Sequence, residues 1–163
     1  MQNISKSAKI LTSSITLALI GMAVLLLVTH HVAFAANFTV PAVDVQSQNG
    51  VFSFPVSEFQ DGKARHFNFK ISPNQSIRFF VIKSSDGVIR AAFDACEVCY
   101  RAQKGYAQQG DNMVCLNCGM KFKSVKVNEV TGGCNPSPLK RTVKDGKVTI
   151  NQQDLLVGAK YFQ

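Results

Sequence analysis

The feature that most constrains this chain is the grouping of its cysteines. All five lie between residues 96 and 134. Two Cys-x-x-Cys pairs, Cys96/Cys99 and Cys115/Cys118, are separated by fifteen residues, and fifteen more separate the second pair from Cys134. A gap of two residues lets both sulfurs of a pair face the same ion, and the longer gap lets a second pair complete a tetrahedral set. The spacing therefore predicts that Cys96, Cys99, Cys115 and Cys118 bind one metal ion or cluster.

Other uses of cysteine fit this pattern less well. Disulfides are common outside the cytoplasm, but five is an odd number and a bridge within a Cys-x-x-Cys pair constrains little of the chain. A thioredoxin-like redox pair is expected in a strand-to-helix unit, which neither pair shows. Covalent haem attachment requires a histidine where Tyr100 and Gly119 stand. A metal or cluster site is favoured, and thiol–disulfide chemistry stays open as an alternative.

The spacing does not specify the ion. Zinc is the usual partner of four thiolates, and iron–sulfur clusters are also held by four cysteines. Cys134 lies between turn-forming residues, in Gly132-Gly133-Cys134-Asn135-Pro136. It is predicted as a tentative fifth or exchangeable ligand, with a packed thiol as the alternative. On the spacing alone, zinc is the default cofactor, and an iron–sulfur cluster or iron is the alternative.

The residues around the cysteines refine this prediction. Gly119 follows the second pair and permits a tight turn in which backbone N–H groups point at sulfur. Asp94 and Asp111 precede the two pairs and are expected to accept backbone hydrogen bonds, whereas Tyr106 is expected in a loop. Basic residues in the same segment could offset the thiolate charge or form an ordinary solvated face: Arg101, Lys104, Lys121, Lys123 and Lys126.

The N-terminus is dominated by an uncharged apolar stretch over residues 10–28, preceded by Lys6 and Lys9. A helix of this length reaches nearly across a bilayer, and the flanking lysines keep the N-terminus in the cytoplasm. Ala33-Phe34-Ala35 has the form of a signal-peptidase site, so release of a secreted or periplasmic domain near Ala35 is the alternative. The expected organisation is a single-pass anchor over residues 1–35 and an extracytoplasmic domain over residues 36–163.

That domain is predicted to be mainly β, a small α+β fold with a cysteine-rich metal-binding insert. Strand-like stretches occupy residues 51–54, 65–71, 77–83 and 88–93, and residues 37–49 form a linker or an edge strand. Asp145-Gly146 between two alternating segments predicts a hairpin, and Asn151 is expected to cap a short closing helix. A hydrophobic content of 46% with 17% charged residues is typical of a folded domain and excludes a disordered one.

Charge and motifs exclude other functions. The formal net charge is +8, but the basic residues are scattered and form no arginine-rich or basic–aromatic pattern, so nucleic acid is not an expected partner. No serine, histidine and carboxylate set or paired-carboxylate set is evident, which favours an electron-transfer or metal-binding protein over an enzyme. His66, a lone histidine on a strand, is expected to be structural.

The segment from Ser84 to Leu139 resembles the FtrD-like family of membrane iron–sulfur-containing proteins. The resemblance lies in SSDGVIRAAFDACEVCY, KGY, GDNMVCLNCGMKF and GGCNPSPL, and it extends loosely across residues 37–163. It implies a membrane-bound iron–sulfur protein associated with iron uptake, working beside ferrous-iron permease components or redox partners. By this resemblance the cofactor ligands are Cys96, Cys99, Cys115 and Cys118, with Cys134 as the remaining motif cysteine.

Three functions follow from these observations. The first is a membrane-anchored extracytoplasmic iron–sulfur or metal-binding protein that supports iron uptake by electron transfer or metal delivery. The second is a structural zinc-binding module, in which the metal mainly stabilises a small core. The third is a thiol–disulfide oxidoreductase.

Overall fold

The computed structural model describes residues 40–163. The predicted anchor over residues 10–28, the Ala33-Phe34-Ala35 sequence and the domain boundary at residue 35 lie outside the described residues. None of the helices among residues 40–163 combines the length and the apolar composition that a membrane span requires. What the structure describes is the cysteine-containing domain.

Most of the regular structure in residues 40–163 is β, as predicted, and it forms three sheets. The strands are β1 (Val43–Asp44), β2 (Val51–Pro55), β3 (Arg65–Ser72), β4 (Gln75–Lys83), β5 (Ile89–Phe93), β6 (Tyr106–Gln109), β7 (Asn112–Cys115), β8 (Lys121–Lys123), β9 (Thr142–Lys144) and β10 (Lys147–Asn151). The largest sheet has the order β1-β3-β4-β5, with β1 parallel to β3 and the other neighbours antiparallel. Two antiparallel sheets, β2-β10-β9 and β6-β7-β8, complete the domain.

Helical structure in the described chain is confined to short segments. The closing helix α1 (Gln152–Leu156) continues into a 3-10 turn, and three further 3-10 turns connect strands. The 3-10 turns are Val56–Phe59, Tyr100–Ala102, Ser124–Lys126 and Val157–Tyr161.

Strand β4 is buried on both faces, which explains its continuous apolar sequence. Successive side chains of a strand point to opposite faces of the sheet. Phe79 and Val81 therefore enter one apolar cluster, and Phe80 and Ile82 enter another. The first cluster, here called the main core, joins the large sheet to β2, β10 and the C-terminal helical segment. The second, the thiol-side core, consists of Phe80, Ile82, Ala92, Cys96, Tyr106, Met113, Cys115 and Val127.

The predicted C-terminal hairpin is confirmed. Asp145 and Gly146 both have positive φ, 51° and 72°, and Lys144 pairs with Lys147 across the turn. Two positive φ values at the central positions are typical of the turn that matches the twist of a hairpin. The closing helix also forms, but the side-chain oxygen of Asn151 does not cap its backbone; the side-chain amide of Asn151 donates to the Asp154 carboxylate.

The middle of the cysteine-rich insert, residues 106–123, forms a sheet of its own, and Cys115 lies on one of its strands. Strands β6, β7 and β8 have only three or four residues each, and polar side chains interrupt their alternation. Met113 and Cys115 of β7 are nevertheless buried in the thiol-side core against β4 and β5. Packing against the large sheet therefore gives the cysteine-rich segment a regular structure that its own sequence specifies only weakly.

Candidate metal centre

The first cysteine pair lies directly beyond the end of β5. Phe93 donates its N–H to the carbonyl of Ser137 (2.8 Å), and Ser137 donates its own N–H to the carbonyl of Ala95 (2.9 Å). These bonds fix the chain immediately before Cys96. The N–H of Cys99 then points at the Cys96 sulfur, 3.2 Å away, so the turn brings both thiols of the pair to one side.

The second pair forms the tight turn that the sequence predicts. Cys115 is the last residue of β7, and its carbonyl accepts the N–H of Gly119 at 2.8 Å. The N–H of Cys115 donates to the carbonyl of Met120 at 2.9 Å. Gly119 has φ +75°, a conformation that costs glycine little and other residues more. The turn therefore directs both Cys115 and Cys118 toward the first pair.

Cys134 reaches the same place from a third segment of the chain. The hydroxyl of Tyr106 donates to the carbonyl of Cys134 at 2.7 Å, and Pro138 forms a β-bridge with Ala92 of β5. The turn that carries Cys134 is thus attached to both neighbouring sheets. The structure brings together all five cysteines that the sequence predicts as ligands, and all five are free thiols.

The five sulfurs form two overlapping groups. In one group the sulfurs of Cys96, Cys99 and Cys115 all lie within 4.8 Å of one another, and in the other those of Cys99, Cys118 and Cys134 do. The Cys99 and Cys134 sulfurs are 3.7 Å apart. The second Cys-x-x-Cys pair is therefore split between two groups that share Cys99, and Cys134 completes the second group.

Burial differs sharply along this arrangement. Cys96 and Cys115 are 1% and 2% exposed and belong to the thiol-side core, whereas Cys118 is exposed. Cys99 and Cys134 are half-buried between them. The centre therefore extends from the apolar interior to the surface of the domain.

Burial and backbone amides act in opposite directions on the thiols. Burial raises the pKa of Cys115 to about 11, although the N–H groups of Cys118 and Asn117 lower it in part. The N–H of Met120 holds the pKa of Cys118 below its usual value. Amides directed at sulfur stabilise thiolates, which are the form that binds metal. Burial also raises the pKa of Cys134, to about 12. Cys118 therefore ionises readily, whereas Cys115 and Cys134 require a cation to displace their protons.

A buried carboxylate, that of Asp94, lies next to the first cysteine pair and holds the surrounding backbone. The Asp94 side chain is 1% exposed, and its Oδ1 accepts the N–H of Tyr106 at 2.7 Å. The Arg78 Nη2 lies 3.1 Å from Asp94 Oδ2, and the His66 Nε2 lies 3.8 Å from Oδ1. The carboxylate also contacts Gly105 so closely that a Cβ there would lie 2.5 Å from both its oxygens. Asp94 thus joins the first cysteine pair to the start of β6.

Four residues around the centre for which the sequence predicts a role are two aspartates, one histidine and one tyrosine. Asp94 accepts a backbone N–H, as predicted, whereas Asp111 accepts the hydroxyls of Ser85 and Ser124 instead. His66 is buried beside Phe80 and belongs to neither thiol group. Tyr106 is a buried strand residue, so its expected place in a loop is wrong. The sequence indicates this strand only weakly, because Ala107 is the only apolar residue that follows Tyr106 in β6.

The basic residues of the segment lie on the surface. None of them forms an ion pair with a carboxylate among residues 40–163, although the guanidinium of Arg101 contacts the Tyr100 hydroxyl at 3.3 Å. The exposed residues are Arg101, Lys104, Lys121, Lys123 and Lys126. They are free to act through space on a negatively charged centre, and they also fit an ordinary solvated face.

The donor set fits an iron or iron–sulfur group. Thiolates are the ligands that hold iron–sulfur clusters, and hydrogen bonds to the sulfurs are a common means of tuning such groups. Here three segments supply five free thiols, with N–H groups directed at the sulfurs of Cys96, Cys115 and Cys118. The residues that would hold the group are the five cysteines.

Comparison with known proteins identifies the family. The family model described as membrane iron–sulfur containing protein FtrD-like matches residues 59–162, a range that includes all five cysteines and the elements that position them. None of the curated proteins or solved structures compared with the chain is significantly similar to it. The family description and the thiol groups together support an iron–sulfur cluster or iron as the cofactor. The chain therefore belongs to the FtrD-like family of membrane iron–sulfur-containing proteins.

Proposed function

We propose that this protein is a membrane-anchored, extracytoplasmic iron–sulfur or iron-binding protein that supports iron uptake by electron transfer or metal delivery to a partner. The observation that carries the proposal is the convergence of five free thiols at one side of the domain in a chain of an iron–sulfur family. When bound, the group supplies one-electron chemistry or a ferrous ion for transfer.

The proposed placement rests on the N-terminal sequence. Residues 1–35 would form the anchor, with Lys6 and Lys9 on the cytoplasmic side, and residues 36–163 would lie outside. Cleavage near Ala35 would give a released domain with the same chemistry. In either case, the thiol centre would work beyond the lipid layer.

The protein's own residues support exchange with a partner. Cys118 is exposed, so electrons or an ion can reach the centre without opening the domain. Val98, between the cysteines of the first pair, is 64% exposed, and Met120, just after the second pair, is 53% exposed. Each of these exposed apolar side chains lies beside a cysteine pair, and the proposal places the contact with the partner at this surface. An iron permease component or a redox protein is the proposed partner.

The buried end of the centre has a different task. Cys96 and Cys115 are held among Phe80, Tyr106 and Met113, all of which are almost fully buried. Such surroundings exclude water, and the hydrophobic shell of a metal site influences its redox potential. The inner thiols would therefore retain the group while the outer ones face the partner.

Anaerobic reconstitution of the full chain with Fe²⁺ and sulfide tests the proposal. We expect a coloured protein with iron and acid-labile sulfide bound, thiolate-to-iron absorption and a Mössbauer spectrum of thiolate-bound iron. A matched variant in which Cys96 and Cys115 are both replaced by alanine should lose the colour. A colourless protein that holds one zinc and rejects iron would contradict the proposal and support the structural zinc module.

Thiol–disulfide chemistry remains the second candidate because the Cys99 and Cys134 sulfurs are only 3.7 Å apart. A disulfide between them would form with the loss of two protons and two electrons to an external oxidant. This function predicts a metal-free purified protein and a reversible two-electron titration that a Cys134→Ala variant lacks. The same anaerobic preparation therefore distinguishes the two candidates.

A further inference from the structure

We propose that the centre provides two coupled cation positions rather than one. The inner position is formed by Cys96, Cys99 and Cys115, and the outer position by Cys99, Cys118 and Cys134. The sulfur of Cys99 is common to both. The outer position takes a thiophilic divalent cation such as Fe²⁺ from solvent. This inference deepens the proposed function and rests on it, because both positions are made from the same thiol centre.

The distances between the cysteine sulfurs indicate two separate positions. A thiolate binds a divalent ion such as zinc at about 2.3 Å, so two sulfurs bound to one ion cannot be more than about 4.6 Å apart. Each group of three sulfurs lies within 4.8 Å and is therefore close to the size of one ion's donor set. The five sulfurs do not form a single group at this separation. One ion would leave part of the set unused, whereas two ions use every thiol.

Charge favours the same arrangement. Five thiolates around one divalent ion would carry a net charge of about −3, and two divalent ions would reduce this to about −1. Uncompensated charge is costly beside an apolar interior. Cys96 and Cys115 lie within the thiol-side core, so the inner thiols gain most from this compensation.

The cysteines of the outer position are held in place by hydrogen bonds of the protein before any ion binds. Tyr106 attaches the Cys134 carbonyl to β6 with a 2.7 Å hydrogen bond, and the Gly119 turn fixes Cys118 beyond β7. Donors held in place before binding lose less conformational freedom when an ion arrives. The Cys134 turn is therefore a ligand-bearing segment and not a loop that happens to lie nearby.

The sulfurs of the two positions differ in exposure, and this predicts different rates of ion exchange. Two of the three inner sulfurs are almost fully buried, whereas the outer position includes the exposed Cys118. An ion that arrives from solvent reaches the outer position first. We therefore expect the inner ion to be retained and the outer ion to exchange, with Cys99 linking the occupancy of the two.

The test is an anaerobic titration of the metal-free full chain, in detergent micelles, with Co²⁺ as the probe. We expect two Co²⁺ per chain. The high-spin Co²⁺ signal in electron paramagnetic resonance should rise with the first ion and fall with the second, because a shared thiolate couples the two spins. Cys118→Ala and Cys134→Ala should each bind one Co²⁺ and keep its full signal. Met120→Leu, which removes a neighbouring sulfur outside both groups, should still bind two.

Cys99→Ala should weaken both positions at least about tenfold, since it removes a donor from each. If that variant fails to fold, the variant at the exposed Cys118 still decides the question.

One Co²⁺ per chain, with binding unchanged in Cys134→Ala, would overturn the two-position inference and leave the proposed function intact. Two ions without spin coupling would overturn the shared role of Cys99. A chain that binds neither Co²⁺ nor iron would overturn the proposed function as well.

Discussion

The hydroxyl of Tyr106 donates a 2.7 Å hydrogen bond to the carbonyl oxygen of Cys134, joining strand β6 to the turn that carries the fifth thiol. The ring of Tyr106 is 1% exposed and packs between Phe80 and Phe122, with centroid separations of 6.3 Å to each. Burial raises the pKa of the hydroxyl, so it stays protonated and remains a donor. The position of Cys134 is therefore set from the interior of the domain.

Tyr106→Phe should release this attachment without emptying the core. We expect the free energy of unfolding to fall by about 1–2 kcal/mol, because the Cys134 carbonyl loses its donor. Alkylation of Cys134 in the metal-free protein should become several-fold faster, while Cys96 stays protected. Urea denaturation and mass spectrometry after iodoacetamide treatment measure the two effects. Tyr161→Phe, in the main core, is the control and should leave Cys134 labelling unchanged. Equal labelling in wild type and Tyr106→Phe would show that the bond does not hold the turn.

The sequence predicts the large sheet and the C-terminal hairpin well because their signals are local. Alternation along residues 65–71 reflects a strand with one face in the main core, and Asp145-Gly146 supplies the turn conformation directly. The thiol cluster is likewise predictable because cysteine spacing encodes it. For the sheet and the hairpin, residues close together in the chain carry the information, and for the thiol cluster the spacing of the cysteines carries it.

The third sheet and the partners of Asp94 could not be predicted in this way. Asp94 and Tyr106 meet through a hydrogen bond across twelve residues, and Arg78 joins them from β4. Nothing in the local sequence indicates that a charged Arg78 on a buried strand faces a carboxylate. The division of the five thiols into two groups also depends on the packing of the Cys134 turn against β5, a long-range contact.

Gly105→Ala should destabilise the domain and weaken metal binding, because the new methyl group displaces the Asp94 carboxylate. Gly105 has φ +70°, and an added Cβ would lie 2.5 Å from both carboxylate oxygens of Asp94. The left-handed conformation costs alanine about 1–2 kcal/mol, and displacement of a buried carboxylate adds to this. We expect a loss of at least about 3 kcal/mol in unfolding free energy, together with weaker Co²⁺ binding.

Gly110→Ala is the matched control for this substitution. Gly110 also has positive φ, +56°, but no atom lies within 4 Å of the added Cβ. The free energy of unfolding of this control should fall only by the cost of the left-handed conformation for alanine, about 1–2 kcal/mol, and the control should bind Co²⁺ normally. Equal losses in the two variants would mean that the contact with Asp94 does not matter.

His66 should make stability depend on pH. Burial, with Arg78 nearby, lowers the pKa of His66 from 6.5 to about 4. Between these values the unfolded chain binds a proton that the folded chain does not, so stability rises as pH increases from about 4 to 6.5. Burial raises the pKa of the facing Asp94 to about 6, and this acts in the opposite direction between pH 3.8 and about 6. The two effects partly cancel in the wild type.

A difference measurement isolates His66. The unfolding free energy of wild type minus that of His66→Gln should increase with pH by up to about 1.4 kcal/mol per unit between pH 4 and 6.5. Above pH 6.5 the difference should be constant, which serves as the internal control. Urea denaturation in the presence of chelator gives both curves. A constant difference across the whole range would show that His66 titrates normally in the folded protein.

The five thiols should react in an order set by their place in the centre. Cys118 is exposed and the Met120 N–H lowers its pKa, whereas Cys115 is buried and its pKa is about 11. Because the thiolate is the reactive form, we expect Cys118 in the metal-free protein to be alkylated at least about tenfold faster than Cys115 at pH 7. Timed iodoacetamide labelling read by mass spectrometry gives each rate. Loading with Co²⁺ should protect Cys118 as well, since a bound cation occupies its sulfur. Rapid labelling of Cys118 in the loaded protein would remove it from the ligand set.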